Sequence, residues 1–219
     1  TRKPQETRLL YGVRAIYTFN VPRFLRAVRR TQLFINGGGS LIQDSTSSRS
    51  LYYYLFTIWA ARHGGARVLM YGCGIGHVAR PFNRRLAKKV LDKNADVITL
   101  RDTISRRELS EMGITHPQVR SAADPALSLS PAPDEDACQY LRQHGLDPEG
   151  RYICFSVRPW KDFDRFEAFS QAADYAREKY GLETVFMPIE DPTDVEPSRR
   201  AAAGMKHESH LLPAPDRVE

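Results

Sequence analysis

What most constrains this chain is a regular alternation of two periodicities. Stretches with apolar residues at helical spacing (residues 21–30, 51–63, 81–93, 105–112, 134–143, 165–180 and 197–205) take turns with short runs rich in β-branched and aromatic residues. Those runs lie at 12–16, 33–35, 67–71, 96–100, 119–121, 152–157 and 184–187, each bounded by turn formers. Strand–helix alternation with short connections predicts an α/β chain with a doubly wound parallel sheet flanked by helices. Ligands of such sheets sit beyond the carboxyl ends of the strands, where residues 37–40, 72–76, 101–102 and 124–125 fall.

The alternation breaks between 128 and 150, where Ser130-Pro131-Ala132-Pro133, one short helix and Asp147-Pro148-Glu149-Gly150 intervene. This predicts a first domain over 1–130, a linker with a short helix over 131–150 and a second domain over 151–219. The second series holds about two strands, little for an independent core, and from His210 onward no further periodic element is expected.

Charge and cysteine usage narrow the chemistry. Lysine and arginine number 32 against 26 aspartates and glutamates, and the excess of 6 is arginine-biased, which suits phosphates and carboxylates. No basic block is interleaved with aromatics, so nucleic acid is not an expected partner. Cys73, Cys138 and Cys154 are too widely spaced for a disulfide framework or a zinc knuckle, which points to a reducing, cytoplasmic compartment. The six histidines show no metal-ligand spacing, and no metal site is expected. The longest apolar run, 51–61, is too short to span a bilayer, leaving a role at a membrane surface open.

Two glycine clusters stand out. The run ending at Ile35-Asn36 empties into Gly37, Gly38, Gly39 and Ser40, then a polar segment containing Asp44, and a helix is expected to begin near Ser48. Without Cβ atoms in the way, backbone N–H groups there can converge on an anion; the plain alternative is a tight strand-to-helix turn. Gly72-Cys73-Gly74-Ile75-Gly76-His77 follows the strand ending at Tyr71 but has the wrong spacing for a dinucleotide fingerprint, and reads as a second close-approach loop or a packing turn.

Arginines follow two strands. Arg101 leaves the run 96–100 into the same crevice, with Asp102 expected to cap the next helix. Arg158 repeats this in the second domain, before Pro159 and Trp160, and either faces Arg101 across an interdomain cleft or stacks on Trp160 in solvent. Asp124-Pro125 closes a further strand as a hinge, a ligand contact or a turn.

Taken together, Tyr11-Gly12-Val13, the block from Asn36 to Ser47, Arg49-Ser50-Leu51-Tyr52-Tyr53-Tyr54, Gly74-Ile75-Gly76, the block from Ile98 to Ser105, Asp124-Pro125-Ala126 and Ser156-Val157-Arg158-Pro159-Trp160 resemble the bacterial polysaccharide pyruvyl transferase family of the CsaB type. The resemblance implies a GT-B-like pair of Rossmann-like domains and transfer of pyruvate from phosphoenolpyruvate, the donor substrate, to a sugar as a ketal, with no further cofactor. It implies N-acetylmannosamine of a lipid-linked cell-wall glycan precursor as acceptor, met at the inner face of the cell membrane. Gly37, Gly38, Gly39, Ser40, Asp44, Gly74, Gly76, Arg101 and Arg158 are the expected substrate-binding residues. The family commonly opens with an Asn-x-Gly-Asp-like loop and closes with an Arg-Leu-His segment bearing a catalytic histidine, so a first domain lacking its opening strand-loop and a truncated second domain are expected. The general acid is then expected in the absent segment. His77 stands where the family commonly has proline. A nucleotide-sugar glycosyltransferase of the same fold and a non-catalytic glycan-binding fragment are the alternatives.

Overall fold

The computed structural model describes residues 1–45, 47–159 and 164–214, and the chain divides into two compact units, Thr1–Leu129 and Ser130–Glu219. Trp160, on which the stacking alternative for Arg158 rests, lies outside the described residues.

The first unit opens with helix α1 (Pro4–Tyr11). A strand over 12–16 does not form. Pro4 at the first helical turn and Gly12 in the left-handed conformation (φ 62°) bracket a helix upstream instead, and the following residues form a connection without regular secondary structure. Helix α2 (Val21–Val28) follows, capped by Asn20, whose Oδ1 accepts the Arg23 N–H at 3.1 Å.

Then come β1 (Leu33–Gly37), β2 (Ser40–Ile42), α3 (Ser48–His63), β3 (Arg67–Ile75), α4 (Pro81–Asn94), β4 (Val97–Leu100), α5 (Thr103–Glu111), β5 (Gln118–Ser121) and a 3₁₀ turn at Pro125–Ser128. The strands are all parallel in the order β1-β3-β4-β5, and β2 pairs with the end of β3. Nine-residue β3 thus carries β1 on its first part and β2 on its last, so the triglycine is a break within one line of strand rather than a strand-to-helix turn. Leu41 and Ile42 draw the chain back: Ile42 is fully buried in the core with Leu51, Met70, Ile75 and Ile98. Each such side chain contributes about 1.5–3 kcal/mol by leaving water.

The second unit contains α6 (Asp134–Gln143), β6 (Tyr152–Phe155), α7 (Phe166–Tyr180), β7 (Glu183–Phe186), α8 (Val195–Ala203) and β8 (Ser209–Leu211), with parallel order β6-β7-β8. Adjacent residues of β7 serve opposite faces: Phe186 packs with Val157, Phe166 and Ala201, while Val185 packs with Leu146 and Leu212. Leu141 of α6 joins the latter cluster, so the segment expected as a linker contributes to this unit's core. A third strand, β8, occupies the stretch where no element is expected, its approach fixed by buried Asp174, whose carboxylate accepts the backbone N–H groups of Lys206 and His207.

Candidate active site

At the carboxyl edge of the first sheet, the start of β2 and the segment after β5 meet around one guanidinium. Arg101 follows β4 directly, its N–H donating to the Cys73 carbonyl of β3 at 3.3 Å. Its Nη2 donates to Ser40 Oγ of β2 at 3.2 Å, and its Nη1 to Asp124 Oδ2, just before the 3₁₀ turn, at 2.5 Å. The side chain stays 30% exposed, so the fork is held yet reachable from solvent. The Ala126 N–H and the Arg101 guanidinium hold the Asp124 carboxyl below the usual carboxylate range, so Asp124 stays anionic and fixes the arginine.

Gly74 makes this possible. A Cβ there would stand 2.7 Å from Ser40 Oγ and 3.3 Å from Arg101 Nε and Nη2. The Gly-x-Gly-x-Gly segment is therefore strand through Ile75, not the close-approach loop expected. Gly72 (φ 58°) sits where the β3–β4 register shifts between Met70 and Cys73, and each glycine admits a neighbour: the Pro125 ring at Gly72, Ser40 and Arg101 at Gly74, Gln43 at Gly76.

The triglycine contributes conformation. Gly38 and Gly39 adopt φ of 52° and 74°, closed to most side chains, and the turn they make sets Ser40 against Gly74. Gly38 is no anion donor, because its N–H is committed to the Tyr71 carbonyl at 2.9 Å; Gly39 in turn accepts the Gly74 N–H at 2.9 Å. One residue upstream of Gly37, buried Asn36 carries an amide Nδ2 with no hydrogen-bond partner among the described residues.

The remaining expected residues stand elsewhere. Asp44 holds the start of α4: its carboxylate accepts from Ala79 N (2.9 Å), Arg80 N (3.1 Å) and Asn83 Nδ2 (2.8 Å). Burial pushes its carboxyl up, but these bonds and the Arg80 charge outweigh that and leave it below the ordinary value. Asn83 extends the tie to Tyr52 and Ser48 of α3. Asp102 caps α5 as expected, accepting the Ser105 N–H at 2.7 Å. His77 Nδ1 lies 3.1 Å from Glu108 Oε1, whose other oxygen takes Arg84. Burial pushes the Cys73 thiol up to about 11 despite the charge of Arg101, which leaves it protonated and unreactive.

In the second unit, Arg158 leaves the end of β6 and donates from Nε and Nη2 to Asp194 (2.8 and 3.0 Å) and from Nη2 to Glu190 (2.8 Å). The Asp194 side chain is 1% exposed and also accepts the Ile189 and Glu190 N–H groups. The bond from Arg158 is the main reason its carboxyl lies below the usual range, against the opposing effect of burial.

Asp124, for which the sequence leaves hinge, ligand contact or turn open, is the partner of Arg101; an aspartate after a strand and before a proline marks the position but not its contact 23 residues away. No helix among the described residues is long and apolar enough to cross a membrane.

Parallel sheets with helical crossovers define a Rossmann-like α/β protein, and the fixed guanidinium at the carboxyl edge of its first sheet is a candidate anion-binding site. A model of the polysaccharide pyruvyl transferase family matches residues 1–216, and the chain belongs to that family. No curated protein matches it significantly.

Proposed function

We propose that the chain transfers pyruvate from phosphoenolpyruvate to a sugar, and that Arg101 grips the donor. The carrying observation is the Ser40–Arg101–Asp124 constellation over Gly74. A guanidinium fixed on one edge by a carboxylate keeps its remaining N–H groups aimed at a second anion, and a pre-oriented fork binds a phosphate or carboxylate without reorganising. Ser40 Oγ is a neutral group that adds polarity without repelling the donor's charge.

The transfer requires a proton at C3 of phosphoenolpyruvate, which makes C2 electrophilic. A sugar hydroxyl attacks C2, the C2–O bond to phosphate breaks, and a second hydroxyl of the same sugar closes the ketal. One donor and one diol thus give one cyclic ketal and one inorganic phosphate. Arg101 stabilises charge on the phosphate as it leaves and holds C2 against the acceptor.

The family resemblance extends this reading to a GT-B class of fold and to N-acetylmannosamine of a lipid-linked cell-wall precursor as acceptor, used at the cytoplasmic face of the membrane. Calorimetric titration tests the donor: the chain is expected to bind phosphoenolpyruvate in preference to a uridine diphosphate sugar, and Arg101→Ala to weaken that binding. Preference for the nucleotide sugar would overturn the reading in favour of a glycosyltransferase.

A further inference from the structure

A second anion site lies away from the glycine-lined edge. From residue 7 to residue 43 the chain carries six arginines, 8, 14, 23, 26, 29 and 30, and not one aspartate or glutamate. Five of them converge. Arg8, Arg14, Arg23, Arg26 and Arg30, all exposed, line an open hollow of about 530 Å³ whose wall is completed by Ala15, Ile16 and Ala27. A neighbouring hollow of about 480 Å³ shares Arg8 and Arg14.

The fold builds this basin deliberately. Along α2 and the turn after it, positions 23, 26, 27 and 30 follow the i, i+3, i+4, i+7 spacing of one helix face, while Phe24 and Val28 point the other way, onto Phe34, Phe56 and the core. Opposite, the connection after α1 supplies Arg14, and Arg8 is locked by donating from Nη2 to the Ala15 carbonyl at 2.9 Å. The carboxylate just upstream, Glu6, is paired with Lys3. Among the described residues, none of Arg14, Arg23, Arg26 and Arg30 forms an ion pair.

Five like charges around one cavity repel, and a structure that gathers them without counter-charge is complementary to a multiply charged anion. Arginine rather than lysine favours bidentate contact with phosphate oxygens. We propose that this basin binds a diphosphate group. The number of forks and the volume exceed what a single phosphate needs, and the site is separate from Arg101, which does not line the cavity. The inference goes beyond the pyruvyl-transfer reading and does not rest on it.

Inorganic pyrophosphate is the probe, titrated calorimetrically in metal-free buffer. The native chain is expected to bind it at least tenfold more tightly than sulfate, with an affinity that falls steeply as salt rises. Arg23→Ser/Arg26→Ser should cost at least tenfold, whereas Arg101→Ala should leave pyrophosphate binding unchanged. The double variant should also melt no lower than the native chain without ligand, because repulsion is relieved, and lose the upward melting shift that pyrophosphate gives. Farnesyl diphosphate in neutral phosphatidylcholine vesicles separates the sources: tighter binding than free pyrophosphate assigns a lipid-borne diphosphate, equal or weaker binding a soluble one. Undiminished binding by the folded double variant, no preference over sulfate, or loss of binding in Arg101→Ala would each overturn the proposal. The last outcome would leave the donor site at Arg101 standing.

Discussion

Arg101 and Arg158 each follow a parallel strand of their own unit, one residue beyond β4 and three beyond β6, yet their surroundings give them opposite capacities. Arg101 faces one carboxylate, Asp124, and one neutral hydroxyl, Ser40, so the pair is charge-balanced and the fork retains capacity for an incoming anion. Arg158 faces two carboxylates, Glu190 and the fully buried side chain of Asp194, a group with net negative charge that disfavours a second anion. An arginine after a strand is thus a candidate ligand group only when its own counter-charges leave a balance. By that criterion Arg101 is the proposed donor grip, and Arg158 ties the segment after β6 to the start of α8.

The largest expected effect that separates the two is on binding. Arg101→Ala removes charge-assisted hydrogen bonds of about 1.5–3 kcal/mol, so phosphoenolpyruvate affinity should fall roughly 10- to 100-fold in calorimetry, while Arg158→Ala should leave it nearly unchanged. A comparable loss in both would dissolve the distinction. Next comes stability. Asp194→Ala strands the Ile189 and Glu190 N–H groups as well as Arg158, and should lower the urea unfolding free energy of the second unit by about 2 kcal/mol. Asp124→Ala, at an exposed turn, should shift no unfolding midpoint resolvably but should weaken donor binding by loosening the fork.

Gly74→Ala is the subtler probe of the first site. A methyl 2.7 Å from Ser40 Oγ must displace the hydroxyl or the guanidinium, at a cost of about 1–3 kcal/mol, and should reduce donor affinity more than it reduces the melting temperature. The smallest effect is on acid stability. Carboxyls of Asp44, Asp124 and Asp194 all lie below their ordinary values in the folded chain. The stability they contribute is present above the unfolded carboxylate pKa near 4 and is lost as pH falls through the lower folded values. Urea midpoints measured from neutral pH downward should decline below about pH 4, and Asp194→Asn should flatten that decline more than Asp124→Asn.

Helices were legible in the sequence because their periodicity extends over several turns; α6 (Asp134–Gln143) has the bounds its spacing predicts. Three-residue strands were not. Ser40–Ile42 and Ser209–Leu211 are defined by the ladders they join, β3 and β7, rather than by any pattern of their own. Before residue 17 the pattern misleads: apolar residues 13 and 16 look strand-like, whereas Pro4 and Gly12 decide where local order forms. Arg101 was legible from its place after a strand, and Asp102 from its place before a helix. What hid was pairing across the fold: that Asp124 is the partner of Arg101, that Asp44 closes on α4 rather than on a ligand, and that Arg158 meets Asp194 were set by separations of 23 to 39 residues, beyond local pattern.

A crystal structure of the chain with phosphoenolpyruvate bound tests the central claim most directly. The account predicts a phosphate or carboxylate oxygen of the donor within hydrogen-bonding distance of the Arg101 guanidinium, with Asp124 still holding its other edge. Donor bound at Arg158 with its carboxylates displaced, or anywhere that leaves Arg101 untouched, would contradict it.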